Sequence, residues 1–157
     1  MEDLDRVNAI VRAAGRHLDD LGIPQWDDIY PGEAIVRTDV ERGELWVIEA
    51  DGDVAGLVSL NEDQSPEYRD VPWRFGGKVL VVHRLAVDPA RQRRGLAAAL
   101  MTYAEQEAAA REYDAIRLDV FTRNPAATAL YERRGYRRAG TVRFRKGLFF
   151  CYERPVR

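Results

Sequence analysis

The sequence is poor in features that mark several large classes of protein. Its 157 residues include one cysteine, Cys151, which excludes an internal disulfide framework and a cysteine-rich zinc site. No apolar run approaches the roughly 20 residues of a membrane span, and the acidic first residues lack the apolar core of a signal peptide. The formal net charge is −2, so no global field attracts nucleic acid or a membrane surface. We therefore expect a single cytoplasmic domain over residues 1–157.

Well-known catalytic motifs are also missing. The sequence contains no G-x-x-x-x-G-K-[ST] phosphate loop, no G-x-G-x-x-G fingerprint and no H-E-x-x-H metal-binding helix. The two histidines, His17 and His83, lie 66 positions apart. We therefore predict no metal site.

The patterns that are present indicate an α/β (α+β) fold. Apolar residues at three- and four-residue steps predict a helix over residues 3–21, and Asp51-Gly52 predicts a type I′ hairpin turn. Asn124-Pro125 is typical of a helix start, with Asn124 as N-cap. The predicted order is helix, helix, three strands, helix, strand, helix and two strands. We expect a mixed, mostly antiparallel sheet of about six to seven strands, flanked by helices.

Three arginines precede a helix that is predicted to begin near Gly95. Arg91, Arg93 and Arg94 stand at the end where the helix dipole is positive and normally attracts acidic residues. A bound polyanion among the free N–H groups of the first turn would explain them. Glycine at position 95 would let a phosphate approach the backbone closely. The stretch from Val79 to Thr102 therefore predicts a strand, an anion-binding turn and a helix.

The loop over residues 23–32 carries Trp26 and Tyr30. Large aromatic side chains usually pack into a core, whereas loops often carry function. Both interpretations remain open here, because the two side chains can pack over the core or line a substrate pocket.

Three segments together resemble the GNAT superfamily of acetyl-CoA-dependent N-acetyltransferases. The first is Leu85-Ala-Val-Asp-Pro with Gln92-x-x-Gly95-x-Ala97, which is similar to the family's pyrophosphate loop. The second is Leu118-x-Val120 followed by Asn124. The third is Ala127-Thr-Ala-Leu-Tyr131-Glu-Arg-Arg-Gly135-Tyr136, which resembles a late segment of the family. Ala97 stands where many members have glycine.

The resemblance implies a V-shaped splay between the strand ending at Val87 and the strand ending at Phe121. Acetyl-CoA would enter there, with its pantetheine on the backbone of Leu85 to Val87 and its pyrophosphate on the next helix start. The implied binding residues are Leu85, Ala86, Val87, Gln92, Arg93, Arg94, Gly95, Leu96, Ala97, Ala98, Asn124 and Tyr131.

The resemblance also implies roles in catalysis. Tyr131 matches the family's general acid, and a phenol with a pKa near 10 remains protonated at neutral pH and can protonate a thiolate. The base is open between His83, Asp119, a water-mediated route and an amine that arrives neutral. His83 has a pKa range that suits a base, and Asp119 lies where other members carry an acidic residue. An N–H near Val87 would stabilise the oxyanion.

The expected reaction is direct attack by a primary amine on acetyl-CoA in a ternary complex. The acceptor is a small molecule or peptide that the sequence does not identify, and a homodimer is left open. A non-catalytic acyl-CoA sensor is the first alternative. The second is a nucleic-acid-binding module that uses the basic tail around residues 133–146, although such charge is more often a solvated face.

Overall fold

The computed structural model describes residues 3–27, 29–92 and 94–157. In this part of the chain the helices and strands follow the order that the sequence predicts. Their bounds are α1 Leu4–Asp20, α2 Glu33–Glu41, β1 Leu45–Ala50, β2 Asp53–Asn61, β3 Val79–Val87, α3 Leu96–Ala110, β4 Ala115–Phe121, α4 Pro125–Arg133, β5 Arg137–Phe144 and β6 Gly147–Pro155. Short 3₁₀ helices lie at Pro66–Asp70 and Pro89–Arg91.

The strands form one mixed sheet in the order β1-β2-β3-β4-β6-β5. β3 pairs with β4 in parallel over Val79–Val81 and Ala115–Arg117, whereas β4 and β5 each pair with β6 antiparallel. The predicted mixed α/β sheet is therefore confirmed. The splay of β3 from β4 beyond these pairs remains a prediction.

The chain forms two compact units, of which the first comprises Met1–Leu60 and His83–Thr102. Its core is the apolar face of α1 packed with residues of α2, β2 and β3, as the three- and four-residue spacing predicts. The buried members are Leu4, Val7, Ile10, Val11, Ala14, Trp26, Val36, Val54, Leu57 and Ala86.

The β1–β2 turn of the first unit has the geometry that Asp51-Gly52 predicts. Asp51 and Gly52 have φ angles of 56° and 80°, and a type I′ turn needs positive φ at both central positions. On β2, a Cβ atom on Gly56 would lie 2.9 Å from the carbonyl oxygen of Ala86 on β3. Glycine at this position therefore permits the close approach of the two strands.

The second unit comprises Asn61–Val82 and Tyr103–Arg157. Its strands β4 and β6 pair along the whole of β4, from Ala115–Pro155 to Phe121–Phe149. Buried aliphatic and aromatic side chains from these strands form its interior, including Ile116, Leu118 and the fully buried Tyr152. The helix α4 follows β4 directly.

The start of α4 confirms the predicted cap. The side-chain oxygen of Asn124 accepts a hydrogen bond from the N–H of Ala127 at 3.2 Å, and Pro125 occupies the first turn. This cap fixes the point at which the chain turns from β4 into α4, and so it fixes the position of Tyr131 in the last turns of the helix.

Candidate active site

The start of α3 in the first unit has the geometry of an anion-binding turn. Among the described residues, the N–H of Ala99 donates to the carbonyl of Gly95 at 3.0 Å, as at the start of a helix whose first-turn N–H groups have no intrahelical partner. Gly95 has φ of 75°, and a Cβ atom there would meet nothing within 4 Å. The backbone conformation therefore calls for glycine, and the space beside it is open to a ligand.

The arginines of this segment have protein partners that the sequence did not indicate. Arg94 is exposed and donates to the Asp51 carboxylate at 2.7 Å, while Arg91 donates to the carbonyl of Ala50. The Arg94 pair involves two largely exposed side chains, and such pairs stabilise proteins little. Arg94 can therefore exchange Asp51 for an anionic ligand at small cost. Arg93 lies outside the described residues.

An unusual residue immediately precedes the strand segment that is expected to hold pantetheine. Arg84 has φ of 43° inside β3, a left-handed conformation that is uncommon for a residue with a side chain. Its guanidinium makes a bidentate pair with the buried Asp39 at 2.6 and 2.8 Å and also donates to the Tyr30 hydroxyl at 3.1 Å. Asp39 accepts a further hydrogen bond from Ser59 at 2.7 Å. This buried network holds the strained backbone in place.

The structure separates the two aromatic residues of the loop over 23–32. Trp26 is 8% exposed and packs in the core of the first unit, with its Cβ atom 3.7 Å from the position of a Cβ on Gly15. Trp26 is therefore a core residue of the first unit. Tyr30 is 39% exposed and contacts Arg84, so Tyr30 is the member of the pair that faces solvent. His83 lies half-buried on β3 of the same unit.

Tyr131 lies in the second unit, buried on α4. Its ring makes an edge-to-face contact with Tyr136, with 5.9 Å between the ring centroids. Burial raises the pKa of the Tyr131 phenol, and the negative charge of Asp119 raises it further. The phenol is therefore a proton donor at any pH at which the protein would be assayed.

Asp119 lies on β4 and has a buried phenol as its partner. The hydroxyl of Tyr68 donates to Oδ2 of Asp119 at 2.6 Å. Burial raises the pKa of Asp119 to about 6, although the Tyr68 hydrogen bond acts in the opposite direction. A carboxyl group with this pKa is deprotonated at neutral pH and basic enough to accept a proton, so Asp119 has the properties of a general base.

The segment that carries Tyr68 is anchored to β4 and β6. The Arg117 guanidinium stacks on Trp73, 4.3 Å from the ring centroid, and donates to the carbonyl of Phe75 at 2.7 Å. The Glu153 carboxylate, 1% exposed, accepts from the N–H groups of Arg74 and Phe75 at 2.9 and 3.0 Å. Two buried charges on neighbouring strands thus fix the irregular connection that precedes β3.

Two predicted site residues are thus brought together, since Asp119 and Tyr131 interact electrostatically within the second unit. Asn124 lies in the same unit as the N-cap of α4. Tyr68 was missed by sequence reasoning, because it lies 51 positions before Asp119 in a segment without regular periodicity. Its only signal was an aromatic residue in a connection rich in proline and glycine.

Within the described ranges, no group of three or more His, Cys, Asp or Glu side chains is arranged to hold a metal ion. The same residues include no helix long and apolar enough to cross a membrane. The described residues therefore provide a helix start with open space beside Gly95 in one unit and a phenol–carboxylate pair in the other.

The family model described as "Acetyltransferase (GNAT) family" matches residues 13–136, which include α3, Asp119 and Tyr131. The chain belongs to this family. Among its curated relatives, human N-acetyltransferase 8 is 32% identical over 112 residues, which make up 71% of this chain and 44% of the relative. Mycothiol acetyltransferase of Beutenbergia cavernae is 38% identical over 92 residues, covering 59% of this chain and 28% of the relative.

The chain thus spans less than half the length of these curated relatives. A crystal structure of a GNAT-family acetyltransferase from Streptococcus agalactiae superposes with a TM-score of 0.84 at 22% identity, covering 98% of this chain and 90% of that one. At this identity the likeness concerns the fold, and it supports the architecture described above.

Proposed function

We propose that this GNAT protein is an N-acetyltransferase that moves an acetyl group from acetyl-CoA to a primary amine by direct attack in a ternary complex. The observation that carries the proposal is the buried Tyr131 phenol beside the Asp119 carboxylate in a chain of this family. An acid that stays protonated and a base with a pKa of about 6 can together move the protons when an amide forms from a thioester.

In this proposal the first unit binds the donor. The N–H groups at the start of α3 and the guanidinium of Arg94 hold the pyrophosphate, together with residues 92–98. The backbone of Leu85 to Val87 holds the pantetheine as an added strand would, and an N–H near Val87 stabilises the oxygen of the reacting carbonyl. Bound acetyl-CoA supplies an activated acyl group on a thiolate leaving group.

The second unit moves the protons. Asp119 accepts a proton from the acceptor's ammonium group, which leaves a lone pair on nitrogen to attack the carbonyl carbon. As the carbon–sulfur bond breaks, Tyr131 donates its proton to the departing sulfur. The second amine proton is released on amide formation and restores the phenol. A raised phenol pKa makes this transfer harder, but burial raises the pKa of the thiol in the same surroundings as well.

His83 remains a second candidate for the base, and Asn124 a candidate contact to the donor. The acceptor is an amine on a small molecule or a peptide. One relative is named for mycothiol, so a small-molecule acceptor has a precedent in the family.

The proposal is tested by thiol release when acetyl-CoA is mixed with a panel of primary amines. Tyr131→Phe should lower kcat by about 10²-fold or more and leave the KM for acetyl-CoA nearly unchanged, because only proton donation is lost. Tyr113→Phe is the matched control, since it removes the hydroxyl of another buried tyrosine of the second unit.

Two results would count against the proposal. An unchanged kcat in Tyr131→Phe would remove Tyr131 from the acid role. Tight binding of acetyl-CoA without turnover across the whole panel would instead favour a sensor of acyl-CoA.

A further inference from the structure

The Asp119 carboxylate and the Tyr68 phenol form a short hydrogen bond that joins a regular strand to an irregular segment. The oxygen–oxygen distance is 2.6 Å, which is typical of a hydroxyl donating to an ionised carboxylate and shorter than most hydrogen bonds between neutral oxygens. Tyr68 is 3% exposed, so water does not readily replace its hydroxyl. The bond therefore restrains the carboxylate in the folded protein.

The position of the Tyr68 ring is set by its own neighbours. The indole N–H of Trp73 donates to the carbonyl of Tyr68 at 2.9 Å, and the two rings pack at a centroid distance of 5.1 Å. Trp73 in turn lies under the Arg117 guanidinium, which also donates to Gln64 at 2.7 Å. Arg117 precedes Asp119 by two residues on β4, so one strand holds both the carboxylate and the anchor of its partner.

We propose that Tyr68 is a positioning residue for the Asp119 base, because its phenol holds Oδ2 and so directs Oδ1 to the acceptor amine. The inference depends on the proposed acetyl transfer. In the proton transfer, the N–H bond of the ammonium group breaks and an O–H bond forms at Oδ1, while the nitrogen keeps its electron pair. Tyr68 keeps its own proton throughout and does not contact the substrate.

The hydrogen bond also sets the pH at which the base works. Donation by Tyr68 stabilises the ionised carboxylate and lowers the pKa of Asp119, which burial raises. The titratable groups that interact with Asp119 include Cys151, opposite it on β6, and Tyr131 on α4, and the charged side chains of Arg117 and Glu153 lie two residues away on β4 and β6. Cys151 and Tyr131 carry no charge at neutral pH, and Arg117 and Glu153 bond to the segment that precedes β3. Tyr68 is the group that donates a hydrogen bond to Asp119 and so favours its charged form.

The test is the variant Tyr68→Phe, which keeps the ring against Trp73 and removes only the hydroxyl. The pKa of Asp119 should rise by about one unit. This pKa can be measured from the carbon-13 chemical shift of the Asp119 carboxyl group during a pH titration. The acidic limb of the pH profile of kcat/KM should move to higher pH by the same amount. The KM for acetyl-CoA should stay constant, since the donor site is untouched.

The matched control is Tyr152→Phe, which removes another phenol–carboxylate hydrogen bond of the second unit, from Tyr152 to Glu132 at 2.9 Å. Because Tyr152 lies opposite Leu118 in the β4–β6 register, its side chain is on the other face of the sheet from Asp119. This variant should leave both the titration and the pH profile in place.

An Asp119 titration that is identical in wild-type protein and Tyr68→Phe would overturn the inference. So would a loss of activity in Tyr68→Phe that is equal at every pH, because that pattern indicates a structural effect. If the titration shifts but wild-type protein releases no thiol with any amine, the hydrogen-bond assignment stands and the proposed acetyl transfer fails.

Discussion

Replacing Asp119 with asparagine should stabilise the folded protein at alkaline pH while it removes the proposed base. Burial raises the pKa of this carboxyl from 3.8 to about 6, so the folded chain binds the proton more tightly than the unfolded chain. The stabilisation that comes from the bound proton is complete below about pH 4 and is lost as the pH rises through about 6. Above that range, the charge on this half-buried carboxylate works against folding.

The size of the effect follows from the shift. A shift of about two units corresponds to at most about 3 kcal/mol of folding free energy at 1.36 kcal/mol per unit. An amide of the same shape cannot ionise and can still accept the Tyr68 hydrogen bond. The free energy of unfolding of Asp119→Asn should therefore exceed that of wild type by about 2–3 kcal/mol at about pH 8. For a chain of this length, this corresponds to a Tm that is higher by roughly 5–10 °C.

Thermal and urea unfolding of both proteins between about pH 4 and pH 8 measures this difference. The gap between variant and wild type should close as the pH falls towards 4, and thiol release should be lost in the variant. Asp70→Asn, an exposed carboxylate at the end of the 3₁₀ helix, serves as the control for a change of net charge. A stability difference that does not vary with pH would refute the reasoning.

Two further substitutions test the packing of the first unit, each by urea unfolding. Asp39→Ala leaves the buried guanidinium of Arg84 without its bidentate partner and should lower the free energy of unfolding by about 3–5 kcal/mol. As a control, Glu33→Ala breaks an exposed ion pair and should lower it by less than about 1 kcal/mol. Gly56→Ala places a Cβ atom 2.9 Å from the carbonyl oxygen of Ala86 and should cost about 1–3 kcal/mol. Gly76→Ala, where nothing lies within 4 Å, should change stability by less than about 0.5 kcal/mol; equal effects at the two glycines would contradict the close-approach argument.

Features that depend on local interactions could be predicted from the sequence. The Asp51-Gly52 turn, the Asn124 cap and the amphipathic α1 each depend on residues within a few positions of one another, and the structure contains all three. The element order follows from such local signals. The start of α3 after Gly95 could be predicted too, whereas the binding of an anion there stays a prediction.

Features that depend on distant residues could not be predicted in this way. Arg84 adopts a left-handed conformation without being glycine or asparagine, because Asp39, 45 positions earlier, holds its side chain. Tyr68 reaches Asp119 only because buried charges on β4 and β6 bind the backbone of its segment. A single sequence carries no periodicity for such contacts, so the partner of the proposed base appears only in the folded chain.

The lone cysteine has a practical consequence for the experiments above. Cys151 lies opposite Asp119 on β6 and is fully buried, and this burial, together with the negative charge of Asp119, raises the pKa of its thiol to about 12. The thiolate is the form that attacks thiol reagents, so the folded protein should contribute little background to an assay of released CoA. The same side chain is a built-in reporter of unfolding. Its rate of alkylation measures how often β6 separates from β4, without the introduction of any label.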